Sequence, residues 1–203
     1  MTFSKFSGTR RALMAATVAG LAASQAFVAA AAQDTPKVKF ATSAGDFVVE
    51  LYPDKAPKTV ANFLQYVKDK HYDGTIFHRV INNFMIQGGG YDAKYAEKPT
   101  RAPVAHEGRE ALAKGGPRNV LGTLAMARTN DPNSATAQFF INVRDNAFLD
   151  PSAQSPGYTV FGKVVSGMDV VDKIKAMPTG PGGPFPSDVP KTPVIINSAT
   201  LVK

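Results

Sequence analysis

The chain contains no cysteine. Disulfides, thiol catalysis, redox motifs and cysteine-type zinc sites are therefore excluded, and the fold must rest on its core alone. Histidine is scarce as well. The three residues, His71, His78 and His106, show no short metal-ligand spacing, so no metal site is expected. No block of Lys and Arg suggests a nucleic-acid partner, and none is expected. Charged residues make up 19% and hydrophobic residues 44%, an ordinary globular balance for a chain of 203 residues. That length suits one domain with a sizeable core. The 15 prolines and 17 glycines are spread along the sequence and favour strands joined by tight turns over a helix bundle.

The first thirty-odd residues differ from the rest. Lys5, Arg10 and Arg11 precede an uncharged, Ala-rich run from Ala12 to Ala32. A basic start, an apolar middle and a small-residue exit predict a signal peptide over residues 1–32, cleaved near Ala32. The rival is a transmembrane anchor, but Thr17, Gly20, Ser24 and Gln25 leave the run weakly hydrophobic for a span. Thr9-Arg10-Arg11 also resembles a twin-arginine export signal, so both the Sec and the twin-arginine routes stay open. The expected location is the periplasm or the exterior, with no stable membrane insertion after cleavage. Residues 1–32 hold three basic and no acidic residues, so removing them lowers the net charge from +7 to +4.

Residues 33–203 read as one domain. Val38–Thr42 and Phe47–Tyr52 alternate in polarity, and Ser43-Ala44-Gly45-Asp46 between them signals a hairpin. Pro57 opens a helix whose Val60, Phe63, Leu64 and Val67 recur at helical spacing. Thr75–Ile81, Phe84–Gln87, Leu121–Ala127, Gln138–Val143 and Tyr158–Val164 read as strands, with Pro103–His106 a weaker one. Met168–Ala176 reads as a second helix, Pro178–Pro193 as a Gly/Pro-rich loop, and Val194–Val202 as the last strand. The pattern predicts a mostly β fold: a closed antiparallel barrel with an α-helix over each end.

Candidate chemistry starts at Arg79. An unbroken strand over Thr75–Ile81 puts Phe77, Arg79 and Ile81 on one face and His78 and Val80 on the other. The plain reading of Arg79 is an edge arginine with its stem on apolar surface. Its companions change the weighing. Phe84-Met85-Ile86-Gln87, Gln138-Phe139-Phe140 and Phe148-Leu149 together offer an apolar pocket with a few convergent polar groups.

Four stretches carry a resemblance to a known family: "FHRVINNFMIQGGG", "GTLAMARTNDPNSATAQFFINV", "NAFLD" and "YTVFGKVVSGMDVVDKI". From about Val38 to the C-terminus the sequence resembles the cyclophilin family of peptidyl-prolyl cis-trans isomerases, most of all the exported bacterial members. The resemblance implies an eight-stranded barrel with two helices and an active groove on its outside. It implies Arg79 and Gln87 as the catalytic residues, Arg79 as the catalytic arginine and Gln87 at a substrate-contact position. Phe84 and Met85 match proline-pocket and substrate-contact positions. Ala127 matches a position whose backbone faces bound peptide, and Arg128 follows it. Gln138 and Phe140 match a polar contact and a pocket-floor aromatic, and Leu149 a pocket wall. Phe148 stands where the family often has tryptophan, and Tyr158 where it often has histidine. Those departures imply at most weak affinity for cyclosporin-type inhibitors. Asn82, where the family often has proline, reads as a neutral turn change. Partners are then proline-containing unfolded polypeptides, no cofactor is needed, and a monomer is the default. Two rivals remain: a proline-peptide-binding chaperone using the same groove without dependence on turnover, and a lipocalin-like barrel with a wide, unfilled interior. Phe40, Phe47, Phe63 and Phe161, as large inward candidates, argue against the second.

Overall fold

The computed structural model describes residues 35–202; the segment 1–32, read above as a signal peptide, lies outside the described residues. Strands β1 (Lys37–Thr42) and β2 (Gly45–Leu51) form the expected hairpin. Gly45 takes φ +128, which a side chain would resist, and the Thr42 hydroxyl donates to its carbonyl at 2.6 Å. Alternation then sends Val38, Phe40, Phe47, Val49 and Leu51 inward, all at most 1% exposed.

Helix α1 (Pro57–Lys68) begins with proline at its first turn and buries Val60, Phe63, Tyr66 and Val67. No side chain of its own caps it. The buried Glu107 carboxylate, 48 residues on from Thr59, accepts from the Lys58 and Thr59 amides at 3.1 and 2.8 Å and from the Thr59 hydroxyl at 2.8 Å. An acid at a helix N-terminus meets unpaired N–H groups and the positive end of the dipole.

The remaining strands are β3 (Arg79–Ile81), β4 (Met85–Gly88), β5 (Thr123–Met126), β6 (Phe139–Asn142), β7 (Val160–Ser166), β8 (Thr179–Gly182), β9 (Phe185–Pro190) and β10 (Ile196–Val202). Helices α2 (Gly108–Ala113) and α3 (Met168–Lys175) complete the described elements apart from two short 3-10 turns. Eight strands form one antiparallel sheet in the order β10-β1-β2-β7-β5-β6-β4-β3, and β8 and β9 pair separately.

Three expectations need correction. First, the sheet is not a closed barrel. Its edge strands β3 and β10 share no ladder. The segment ahead of β3 meets the start of β10 only through the bridge Ile76–Ile195 and a few backbone bonds, such as Ile196 N to Thr75 O at 2.7 Å. Strand β3 is three residues long, too short to carry a closing ladder, so the sheet stays open and curls. Bulges at Ala41/Thr42, Val48/Val49 and Leu124/Ala125 supply bend. Second, three α-helices lie among the described residues; α2 is six residues long and carries little periodic signal. Third, Pro178–Pro193 is not a loop, because it contains the hairpin β8–β9. Conversely, Pro103–His106 makes only a single bridge, Val104 to Ala135.

Rings fill the concave side of the sheet. Phe40 stacks on Phe47 with centroids 4.9 Å apart, and Phe63 sits 5.0 Å from Phe161. Tyr72, Phe77 and Phe139 join them, each 0% exposed. A lipocalin-like open interior is thereby ruled out. The convex side of β4, β5 and β6 is also covered. Ile86, Leu124, Phe139 and Ile141 point to the ring-filled core, while Met85, Ala125, Phe140, Leu149 and Val160 form a second apolar cluster. Strands buried on both faces lose their alternation and read as continuous apolar runs.

Candidate active site

The second cluster floors a groove of about 340 Å³ on the outside of the sheet. Ten of the residues singled out from the sequence line it: Arg79, Phe84, Met85, Gln87, Ala127, Arg128, Gln138, Phe140, Leu149 and Tyr158. Met85, Phe140 and Leu149 are 2–8% exposed and make a dry apolar cradle. The eleventh, Phe148, does not line the groove. It is 70% exposed and stacks on Phe84 with centroids 5.6 Å apart, forming an outer rim.

Beside this cradle runs a polar chain. Arg79 stands opposite Gln87 in the β3–β4 ladder, and its Nη1 lies 3.5 Å from Gln87 Oε1. Gln87 Nε2 in turn donates to Gln138 Oε1 at 3.0 Å. Gly90 makes room for this arrangement, since a Cβ there would lie 2.6 Å from the Gln138 side chain. Arg79 is exposed and makes no ion pair among the described residues. Its guanidinium is thus held at the cradle's edge by one neutral acceptor, with most of its donors uncommitted.

The sequence-based face assignment of β3 is corrected. Phe77 and Val80 belong to the inner core, whereas His78 and Arg79 both line the groove. The regular strand begins only at Arg79, and the break in alternation at His78–Arg79 puts two successive side chains on the outer side. His78 stacks on Phe185 at 5.2 Å and meets Tyr91 edge-on at 4.8 Å. Burial lowers its pKa to about 4, so the imidazole is neutral at neutral pH. Burial also lowers His71 and His106. The sequence reading missed His78, Tyr91 and Phe185 as groove residues. The Gly182-Gly183 pair, a strong turn signal between two short extended runs, was the available clue to the hairpin that carries Phe185.

Arg128 has a different character from Arg79. Its Nε and Nη2 donate to Gly157 O at 3.2 and 2.8 Å, and its Nη1 to Thr129 O at 2.8 Å. The same guanidinium lies 4.6 Å over the Tyr158 ring, which meets Phe140 edge-on at 5.4 Å. Arg128 therefore braces a groove wall.

A buried amide network fixes the other wall. Asn146 Nδ2 donates to Phe84 O at 2.8 Å and to Asn142 Oδ1 at 2.7 Å. Asn142 Nδ2 donates to Thr123 Oγ1 at 2.9 Å, and Asn119 Nδ2 to Leu149 O at 3.2 Å and Asp150 Oδ1 at 3.0 Å. The backbones of Phe84 and Leu149 are thus tied to the same scaffold.

Residues 37–201 match the family described as cyclophilin type peptidyl-prolyl cis-trans isomerase/CLD. The peptidyl-prolyl cis-trans isomerase cyp18 of Streptomyces antibioticus is 55% identical over 168 residues, covering 81% of this chain and 98% of that protein. Peptidyl-prolyl cis-trans isomerase B of Escherichia coli is 54% identical over 167 residues, covering 81% of this chain and 98% of that one. A solved cyclophilin type isomerase of Cryptosporidium parvum, in the presence of the dipeptide Ala-Pro, superposes with a TM-score of 0.64 at 25% identity. It covers 82% of this chain and 99% of its own. With its family match over nearly the whole described region, the chain belongs to the cyclophilins and is a peptidyl-prolyl cis-trans isomerase.

Proposed function

We propose that the groove accelerates rotation about X–Pro bonds of polypeptides by stabilising the twisted amide with Arg79. A peptide bond resists rotation because its C–N bond has partial double-bond character, with a barrier of about 18–20 kcal/mol. In the twisted state that resonance is lost, and the prolyl nitrogen becomes a pyramidal acceptor. A donor aimed at it binds the transition state and neither planar isomer. The cradle of Met85, Phe140 and Leu149, with Phe84 beside it, would hold the proline ring while the preceding segment turns. The Ala-Pro dipeptide associated with the Cryptosporidium structure supports a proline ring as the occupant.

The observation that carries this reading is the Arg79–Gln87–Gln138 chain at the edge of the cradle, with the guanidinium free of any carboxylate among the described residues. Uncatalysed isomerisation takes tens of seconds or longer. Reaching milliseconds requires about 5.5–7 kcal/mol. One charge-assisted donor in a partly dry groove contributes ~3–4 kcal/mol, and positioning contributes the remainder. The test is a peptide isomerisation assay with Arg79→Ala. The variant should lose 10²-fold or more of kcat/KM (roughly the effect of removing one oxyanion donor) while melting normally. A variant as fast as the parent sinks the assignment.

We further propose that residues 1–32 direct the enzyme out of the cytoplasm and that its clients are exported polypeptides. The basic, Ala-rich sequence of that segment supports this. N-terminal sequencing of protein recovered outside the cytoplasm should find a start near Gln33; a start at Met1 would overturn it.

A further inference from the structure

The groove's lining extends beyond the apolar cradle to His78, Tyr91 and Phe185. Strand β3 is the sheet's edge strand next to β4, and β9 of the separate hairpin β8–β9 packs against β3. Phe185 projects from the start of β9 into the groove, is half-buried, and belongs to neither of the two apolar clusters. It stacks on His78, itself 2% exposed, and meets Tyr91 edge-on with centroids 5.0 Å apart. One side of the ring is thus backed by protein, and the ring still lines open space.

The ring is also held in place. Tyr95 packs against the hairpin turn so closely that a Cβ on Gly182 would lie 2.8 Å from its hydroxyl, and one on Gly183 2.3 Å from its ring. Tyr95 is fixed by a tight loop in which the Asp92 carboxylate accepts from the Lys94 and Ala96 amides at 2.8 and 2.9 Å. Two separate loops therefore converge to hold one aromatic side chain beside Arg79. A rigid aromatic that remains partly exposed in a groove can bury apolar surface only when a ligand side chain covers it.

We infer that Phe185, backed by His78 and Tyr91, forms a second subsite that selects a large apolar or aromatic side chain next to the proline in the substrate. The inference rests on the groove being the isomerase site. Carried by the β8–β9 hairpin and not by the cradle strands, this subsite acts through the flanking residue, so it changes substrate preference and not the chemistry.

The test uses proline peptides in which the neighbours on each side of proline are varied in turn among Ala, Leu, Phe and Glu. The enzyme, Phe185→Ala and Phe185→Tyr are compared by kcat/KM. At one flanking position the enzyme should prefer Phe over Ala by about threefold to tenfold, the range expected of one aromatic contact. Phe185→Ala should flatten that ratio to near unity by lowering kcat/KM on the Phe-flanked peptide more than on the Ala-flanked one. Phe185→Tyr should keep the ratio, and if Phe185→Ala fails to fold, Phe185→Leu takes its place. Peptide-to-protein NOEs should link the preferred side chain to the Phe185 ring. An unchanged ratio in a folded variant, a uniform loss across all peptides, or no preference in the enzyme itself would overturn the subsite. An enzyme that isomerised none of these peptides would instead overturn the reading of the groove.

Discussion

Gln87 stands directly across the β3–β4 ladder from Arg79, and its amide oxygen is the one side-chain acceptor within 3.5 Å of the guanidinium among the described residues. The same amide donates to Gln138, so its orientation is set from the far side. Register thus places an acceptor where it can aim a charged donor without neutralising it.

This geometry makes Gln87 a positioning residue with a testable signature. Gln87→Leu keeps the bulk but removes both ends of the relay. The expected result is a drop in kcat of about tenfold, the worth of one modest hydrogen bond, with little change in KM. Gln87→Glu should also be slow, because a carboxylate would pair with Arg79 and draw its donors off the reacting nitrogen. Steady-state kinetics on one proline peptide separate these outcomes from a loss of binding, which would raise KM instead.

Arg128 should behave in the opposite way. Its donors are spent on Gly157 and Thr129, and its plane covers Tyr158. Arg128→Ala frees the Tyr158 wall without removing a donor from the reacting bond. KM should rise about threefold, with kcat kept within about twofold, from the loss of one cation–π contact and its hydrogen bonds. A fall in kcat comparable to that of Arg79→Ala would show that Arg128 reaches the transition state.

Much of this site was legible because its residues lie in long local stretches. Phe84, Met85, Gln87, Gln138 and Phe140 each sit within a motif, and the family resemblance carried them to the groove. The hairpin β1–β2 and helix α1 were also legible, since period and turn chemistry agree there. What escaped depends on breaks in local regularity or on distant partners. Alternation put Phe77 and Arg79 on one face, which holds only for an unbroken strand; the break at His78–Arg79 reverses it. The prolines at 181, 184 and 186 disguised β8 and β9, because proline is confined to strand edges and this two-stranded ribbon is all edge. With the hairpin hidden, Phe185 could not be placed. Closure of the sheet was over-read for a related reason: strand count alone does not reveal that β3 is too short to pair with β10.

Glu107 illustrates the distant kind. Its carboxylate caps α1 from 48 residues away and is 6% exposed. Glu107→Ala leaves the Lys58 and Thr59 amides without their acceptor. The expected cost is ~2 kcal/mol, read as a fall in Tm of about 4–8 °C for a chain of this size. Activity at temperatures well below the transition should be unchanged, because α1 packs on the core side. Thermal melts monitored by circular dichroism measure the first, and the peptide assay the second.

The pH dependence of stability should separate from that of catalysis. His78 titrates at about 4 when folded, against 6.5 ordinarily, chiefly because burial penalises its charged form and because Arg79 lies close. The backbone carbonyl of Ile76 opposes that shift without cancelling it. Between those two values the unfolded chain holds a proton on this side chain that the folded chain lacks. Stability is therefore full above 6.5 and falls as the pH drops toward 4, by up to about 3 kcal/mol from this residue. His71 and His106, also lowered by burial, push in the same direction. His78→Phe, which keeps an aromatic ring against Tyr91 and Phe185, should flatten the acid limb of a Tm-versus-pH curve by its own share. Under the proposed mechanism turnover needs no proton transfer, so kcat of the folded enzyme should stay level from pH 6 to 8. A histidine-like step in kcat across that window, retained in His78→Phe, would point to a titrating group in the chemistry and would count against a mechanism run by a permanently charged arginine.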